Sequence, residues 1–230
     1  MKLTLYAHVF MREAALPPMP SPLTYVVAGN GVHLWAKREG LEVLIPVHPG
    51  LIRGLEPVSP FVRLDGLPPV DRRMVEQMLL VGASARGAGG VPVETLFFLS
   101  PGAGGWELVV PPQRQGPTSV EPLTGELDEG VYSRVLIEVH THPGMPAFFS
   151  ETDDRDERGF RLYGVIGNPQ FDQGGKVTAE LRLRVVIYDP EVASYEFPAS
   201  GVLSLPAGAR ECTPLPAWAH RAIDESVGES

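Results

Sequence analysis

Residues 138–153 read EVHTHPGMPAFFSETD. His140 and His142 stand two apart at the end of an apolar run, Val131 to Val139 (VYSRVLIEV), whose composition predicts a strand. Side chains two apart on a strand share a face, so both imidazoles can grip one ion if the extended backbone continues to His142. Seven residues intervene before Ser150, and Asp153 follows three positions later. Ser-x-x-Asp is a helix-start signature, and residues three apart on a helix also share a face. Pro143, Gly144 and Pro146 suit the turn that must connect strand end to helix start. Neutral imidazole and carboxylate suit zinc, which in catalytic sites takes three protein ligands and leaves one position for water. Asp153 is the natural third ligand.

Each part has an ordinary explanation when taken alone. A His pair on a strand is more often surface or hydrogen-bonded core than a ligand, and Ser-x-x-Asp is more often a plain cap. Together the four residues arise by chance on the order of once in a thousand chains of this length or less, judged from ordinary residue usage. The pattern also falls in a strand, loop and helix context, which a motif needs before it carries weight.

HTHPGMPAFFSETD resembles the JAMM motif of the MPN+ metalloproteases: an upstream Glu, then His-(Ser/Thr)-His-Pro, then Ser and Asp at this spacing. The following run, AFFSETDDRDERGFRLYGVIGN, with the upstream NGVHL, is similar to the JAMM-containing protein A of bacterial PRTRC cassettes. The MPN resemblance covers about residues 68 to 190. It implies an α/β (α+β) fold, with a mixed, curved β-sheet flanked by helices. It also implies Zn2+ held by His140, His142 and Asp153, a catalytic Glu acting as general base on water, and a Ser150 hydroxyl donating to the developing oxyanion. The implied substrate is a peptide or isopeptide bond at the C-terminus of a ubiquitin-like protein. PRTRC cassettes include a ThiF-related member similar to ubiquitin-activating enzymes, which makes such an enzyme an expected partner.

The general base has two candidates. Glu94 heads the apolar run Thr95 to Leu99, and the family pattern puts its Glu where the first helix gives way to a strand. A carboxylate there is costly if buried unpaired. Glu138 is the rival, since it shares the strand face of His140 and His142. The family position favours Glu94.

Composition narrows the function further. A formal charge of −9 and the lack of a basic run argue against nucleic acid, whose phosphates require clustered Lys and Arg. No apolar stretch approaches the roughly 18 residues of a membrane span. The N-terminus, MKLTLYAHVFMREAALPP, is interrupted by His8, Arg12 and Glu13 and makes a poor signal peptide. Cys212 is the only cysteine, which excludes an internal disulfide or a multi-cysteine zinc site and fits the cytoplasm.

Residues 1–66 read as a small, mostly β N-terminal unit. Strands are predicted over Lys2–Phe10, Thr24–Ala28, Val32–Ala36, Leu41–Val47 and Phe61–Leu64, with Asn30-Gly31 as a hairpin turn. Residues 67–200 read as the JAMM/MPN domain. Its helix follows Pro68-Pro69, with Val70, Met74, Val75, Met78 and Leu79 at helical spacing. Strands follow at Thr95–Leu99, Trp106–Val110, Phe160–Ile166, Val177–Tyr188 and Tyr195–Phe197. Residues 111–130 read as a long polar surface loop, and Asp154, Asp156 and Glu157 as solvated charges. The tail, 201–230, has a short helix predicted over Ala217–Glu225. Three functions compete: a JAMM peptidase or isopeptidase, a zinc hydrolase of a small amide, and a non-enzymatic MPN scaffold. Retention of every motif residue disfavours the scaffold.

Overall fold

Period-two alternation in the chain's longest strand decides how the layers stack. In the computed structural model, which describes residues 6–123, 129–188 and 192–215, Val177–Tyr188 form a single strand, β12. Leu181, Leu183 and Val185 point to one face, and Glu180, Arg182 and Arg184 to the other. Counted in chain order, the preceding elements are β1 (Ala7–Phe10), β2 (Leu23–Ala28), β3 (Gly31–Arg38), β4 (Leu41–Pro49), β5 (Phe61–Leu64), α1 (Arg72–Ser84), β6 (Leu96–Gly102) and β7 (Gly105–Val109). After these come β8 (Gln113–Gln115), β9 (Val120–Pro122), α2 (Glu129–Arg134), β10 (Ile137–His142), α3 (Glu151–Asp156) and β11 (Arg161–Phe171). β13 (Val192–Phe197) and β14 (Ala209–Glu211) follow β12.

Two large sheets result. The first runs β1-β2-β3-β4-β5, and the second runs β13-β12-β11-β10-β6-β7 with β14 beside β12. The second is mixed: β10 lies parallel to β11, while β6 and β12 pair antiparallel with their neighbours β10 and β11. Its apolar face carries Phe97, Leu99, Ile137, Val139, Leu162, Ile166, Leu181, Leu183 and Val185. Val75, Met78, Leu79 and Ala83 of α1 pack there, as do Leu34, Leu41, Val43 and Ile45 of the first sheet. One core therefore joins residues on both sides of position 66. The other face of the first sheet is closed by Met11, Trp35, Leu44 and Val58.

Several boundaries differ from the sequence reading. Residues 131–134 are helical, not extended, and β10 begins only at Ile137. β-Branched residues favour strands only where a pleated partner exists; here the strand starts where β6 and β11 both flank it. The loop at 111–130 contains the β8–β9 hairpin and the start of α2. β11 runs past Gly167-Asn168-Pro169 to Phe171, with a register shift and Asn168 at φ 47° absorbing the turn-like sequence. In the N-terminal hairpin Ala28 pairs with Gly31, so the two linking residues are Gly29 and Asn30. Gly31 is required inside the pairing: a Cβ there would sit 2.3 Å from the His48 carbonyl oxygen. The helix expected over Ala217–Glu225 lies outside the described residues.

Candidate metal centre

The second face of the large sheet carries the chemistry. Register places His140 beside Val165 and His142 beside Gly167 on β11, with Arg182 and Glu180 next in each row on β12. His140 and His142 project together from β10, their Nε2 atoms 3.0 Å apart. Asp153 comes from the first turn of α3, which Ser150 caps. The cap and the ligand are the same carboxylate used twice. Oδ2 of Asp153 accepts from the Ser150 backbone N–H at 2.6 Å and from its hydroxyl at 2.7 Å. Oδ1 lies 3.3 Å from His140 Nε2.

The three donor groups fit one ion. One ligand atom from each of His140, His142 and Asp153 lies within 4.8 Å of the others. Tetrahedral ligands about 2.0–2.1 Å from zinc lie about 3.3 Å from each other, close to the 3.0 and 3.3 Å separations here. Burial lowers the pKa of both imidazoles, opposed by the Asp153 carboxylate, and the neutral ring is the form that binds a metal. Two nitrogens and one carboxylate leave one tetrahedral position open, the arrangement of catalytic zinc sites.

Glu94 stands just before β6, buried, with Oε1 3.8 Å from His142 Nε2. Its backbone is held on both sides. The Glu94 N–H donates to the Gly116 carbonyl, and the Gln115 side-chain amide donates to the Glu94 carbonyl, both at 2.8 Å. Next door, the Thr95 N–H donates to the Thr141 hydroxyl at 2.8 Å, fastening β6 to the residue between the two histidines. Burial and then the nearby Asp153 charge push the Glu94 pKa up to about 7. Glu138 also faces this side, but its carboxylate lies 3.5 Å from the Arg161 guanidinium. Between the two glutamates, the structure brings Glu94 to the histidines and pairs Glu138 with arginine.

The loop from Pro143 to Phe149 lies flat on the sheet because Gly167 has no side chain. A Cβ at Gly167 would come 2.0 Å from the Ala147 nitrogen. Glu180 Oε2 accepts from the Ala147 N–H at 3.4 Å, and Arg182 Nε donates to the Ala147 carbonyl at 3.1 Å. Phe148 packs edge-on to His142, with ring centroids 4.8 Å apart, and keeps 42% of its surface exposed at the mouth.

Sequence reasoning missed Gly167, Gln115, Thr141 and the polar row of β12. The alternation in β12 was the available signal, but it reads equally well as a solvated face. Glu157 corrects the reading of the DRDER run: it is buried, with Oε2 2.6 Å from Arg184 Nε. Asp154 is ion-paired to the same guanidinium, while Asp156 is exposed as expected.

Residues 106–182 match the family model for prokaryotic homologs of the JAB domain. Over that segment, about a third of its length, the chain is similar to JAB domains. That match spans His140, His142, Ser150 and Asp153, while Glu94 precedes it. No curated protein matches the chain. The JAB family includes JAMM peptidases and also inactive members, so activity turns on the site rather than on the fold. Among the described residues no helix is long and apolar enough to cross a membrane.

Proposed function

We propose that this JAB-domain chain is a zinc-dependent hydrolase that cleaves a peptide or isopeptide bond. The observation that carries the reading is the gathering of His140, His142 and Asp153 within 4.8 Å, with a buried Glu94 carboxylate 3.8 Å from His142. Zinc, when bound, supplies Lewis acidity toward water and the scissile carbonyl. Glu94, its pKa near neutrality, takes the proton of the attacking water at a carboxylate oxygen and returns it to the departing amine. Ser150 has one hydroxyl proton, which rests on Asp153 Oδ2. Rotation of that hydroxyl frees the proton for the developing oxyanion while its oxygen still accepts from the Asp153 N–H. Phe148 shields His142 from water and offers an apolar edge to the substrate chain. The resemblance to JAMM isopeptidases supports a ubiquitin-like protein or its conjugate as substrate, with a ThiF-like activating enzyme as partner. A single cysteine and low Lys and Arg content fit a cytoplasmic protein that does not bind nucleic acid.

The test combines metal content and turnover. Wild type purified without added metal should contain about one zinc per chain, and His142→Ala should lose it. A linear fusion of a ubiquitin-like protein should be cut by wild type. Glu94→Gln should keep the zinc and lose on the order of 10²–10⁴ in rate. A wild type that takes up no zinc on titration would leave the JAB fold as a scaffold. Cleavage of small amides but not of the fusion would move the substrate to the smaller class.

A further inference from the structure

We propose that Arg184 is a positioning residue for the metal centre, fixing helix α3 so that Asp153 meets the two histidines. The inference rests on the hydrolase reading above and adds a residue that lies beyond the matched JAB segment.

Helix α3 cannot hold its own pose. It has six residues, none of them buried, and isolated helices of this length do not persist in water. An apolar face would normally dock such a helix, and here there is none. Its placement is left to polar contacts. The capping box ties Ser150 to Asp153 within the helix but does not tie the helix to the sheet.

Arg184 makes that tie. Its side chain rises from β12 on the site face, in register with Tyr163 and, through it, with Glu138. Nε donates to Glu157 Oε2 and Nη1 to Asp154 Oδ1, both at 2.6 Å. The guanidinium carbon lies 4.0 Å above the centre of the Phe149 ring. These contacts bracket the functional pair. Phe149 precedes Ser150, Asp154 follows Asp153, and Glu157 caps the C-terminal end of α3. Residue 184 itself is 4% exposed, so the fork is walled in by protein.

Stability alone does not account for this arrangement. A well-packed apolar cluster often stabilises a protein as much as a buried ion pair does. A planar guanidinium does something a cluster does not: it holds two carboxylates in fixed directions while stacking on a ring. That directional constraint is what a ligand carboxylate next to Asp154 needs. Outer partners of metal ligands typically change affinity by 10–100-fold when removed.

The experiment uses the full chain with zinc and, as a visible probe of ligand geometry, cobalt(II). Arg184→Met retains length and loses the fork. A second variant, Arg184→Met with Asp154→Asn and Glu157→Gln, also removes the carboxylates left unpaired and serves if the single variant fails to fold. The expected result is a folded protein whose zinc dissociation constant rises about 10–100-fold and whose cobalt spectrum departs from wild type. A purely structural role predicts the opposite pattern, a lower melting temperature of the metal-free protein with unchanged zinc affinity and cobalt spectrum, and that result overturns the proposal. Failure of wild type to take up either metal is a separate outcome, and it removes the hydrolase reading together with this one.

Discussion

Ser150 serves two purposes that substitution can separate. As N-cap it accepts from the Asp153 N–H, and as a donor its hydroxyl proton is shared with Asp153 Oδ2. Replacement of a capping Ser by Ala costs about 0.5–2 kcal/mol, whereas Gly costs only a few tenths. Loss of an oxyanion donor costs about 10²–10³ in rate whichever residue replaces it. Ser150→Ala and Ser150→Gly are therefore expected to differ by roughly 1 kcal/mol in urea unfolding and to share the same loss of turnover on the fusion substrate. If Ser150→Gly keeps wild-type turnover, the hydroxyl is only a cap. The pattern of His140, His142, Ser150 and Asp153 was legible in the sequence because local geometry sets their spacing: period two on β10 and three residues on α3. Arg184 was not legible. It lies 30 residues from Asp154 in the chain, and only the pairing of β11 with β12 carries it under α3.

At the level of elements, α1 and β10 meet through a glycine. A Cβ on Gly82 would lie 2.7 Å from Thr141 Cγ2. Thr141 is fully buried between the histidines, and its hydroxyl accepts from the Thr95 N–H, so it cannot move without disturbing the start of β6. Two effects oppose each other in Gly82→Ala. Helix propensity favours Ala by about 1 kcal/mol. Overpacking a rigid core site costs about 1–3 kcal/mol. A β-branched partner on a central strand has little freedom to yield, so overpacking wins. Gly82→Ala should destabilise the protein by up to about 2 kcal/mol in urea unfolding, and a stabilised variant would show that the sheet gives way easily. The boundaries of β12 and of β5 were readable because clear alternation or flanking turns define them. The helix α2 departs from its local propensity, since Val131 and Tyr132 favour strand and pairing partners decide whether propensity is realised. The partners of β12's polar face are not legible in its alternation, because hydrophobic period shows which side is apolar, not what covers the other side.

For the molecule as a whole, the five-stranded sheet shares one hydrophobic core with the sheet that carries the metal centre. Leu34, Leu41, Val43 and Ile45 share one cluster with Leu136, Ile137 and Leu162. Gly40 approaches so closely that a Cβ there would lie 2.8 Å from the Leu67 side chain and 3.1 Å from that of Leu136. Polar contacts cross the same boundary: Arg38 donates to the Phe160 carbonyl at 2.6 Å and to the Ser133 carbonyl at 3.3 Å. Burying a Val, Leu or Ile side chain contributes about 1.5–3 kcal/mol, so the four aliphatic residues alone account for roughly 6–12 kcal/mol. That equals the whole net stability of an ordinary domain, about 5–15 kcal/mol. A fragment of residues 67–230 leaves the partners of those side chains in water and should not fold, even though it contains every residue of the metal centre. The full chain should unfold in one transition with matching far-UV and near-UV signals. The fragment should lack a near-UV signal, bind a hydrophobic dye and hold zinc far more weakly than the full chain. A fragment with a sharp thermal transition and intact zinc binding would mean that residues 67–230 are a self-sufficient unit and that the first sheet is an attachment to it.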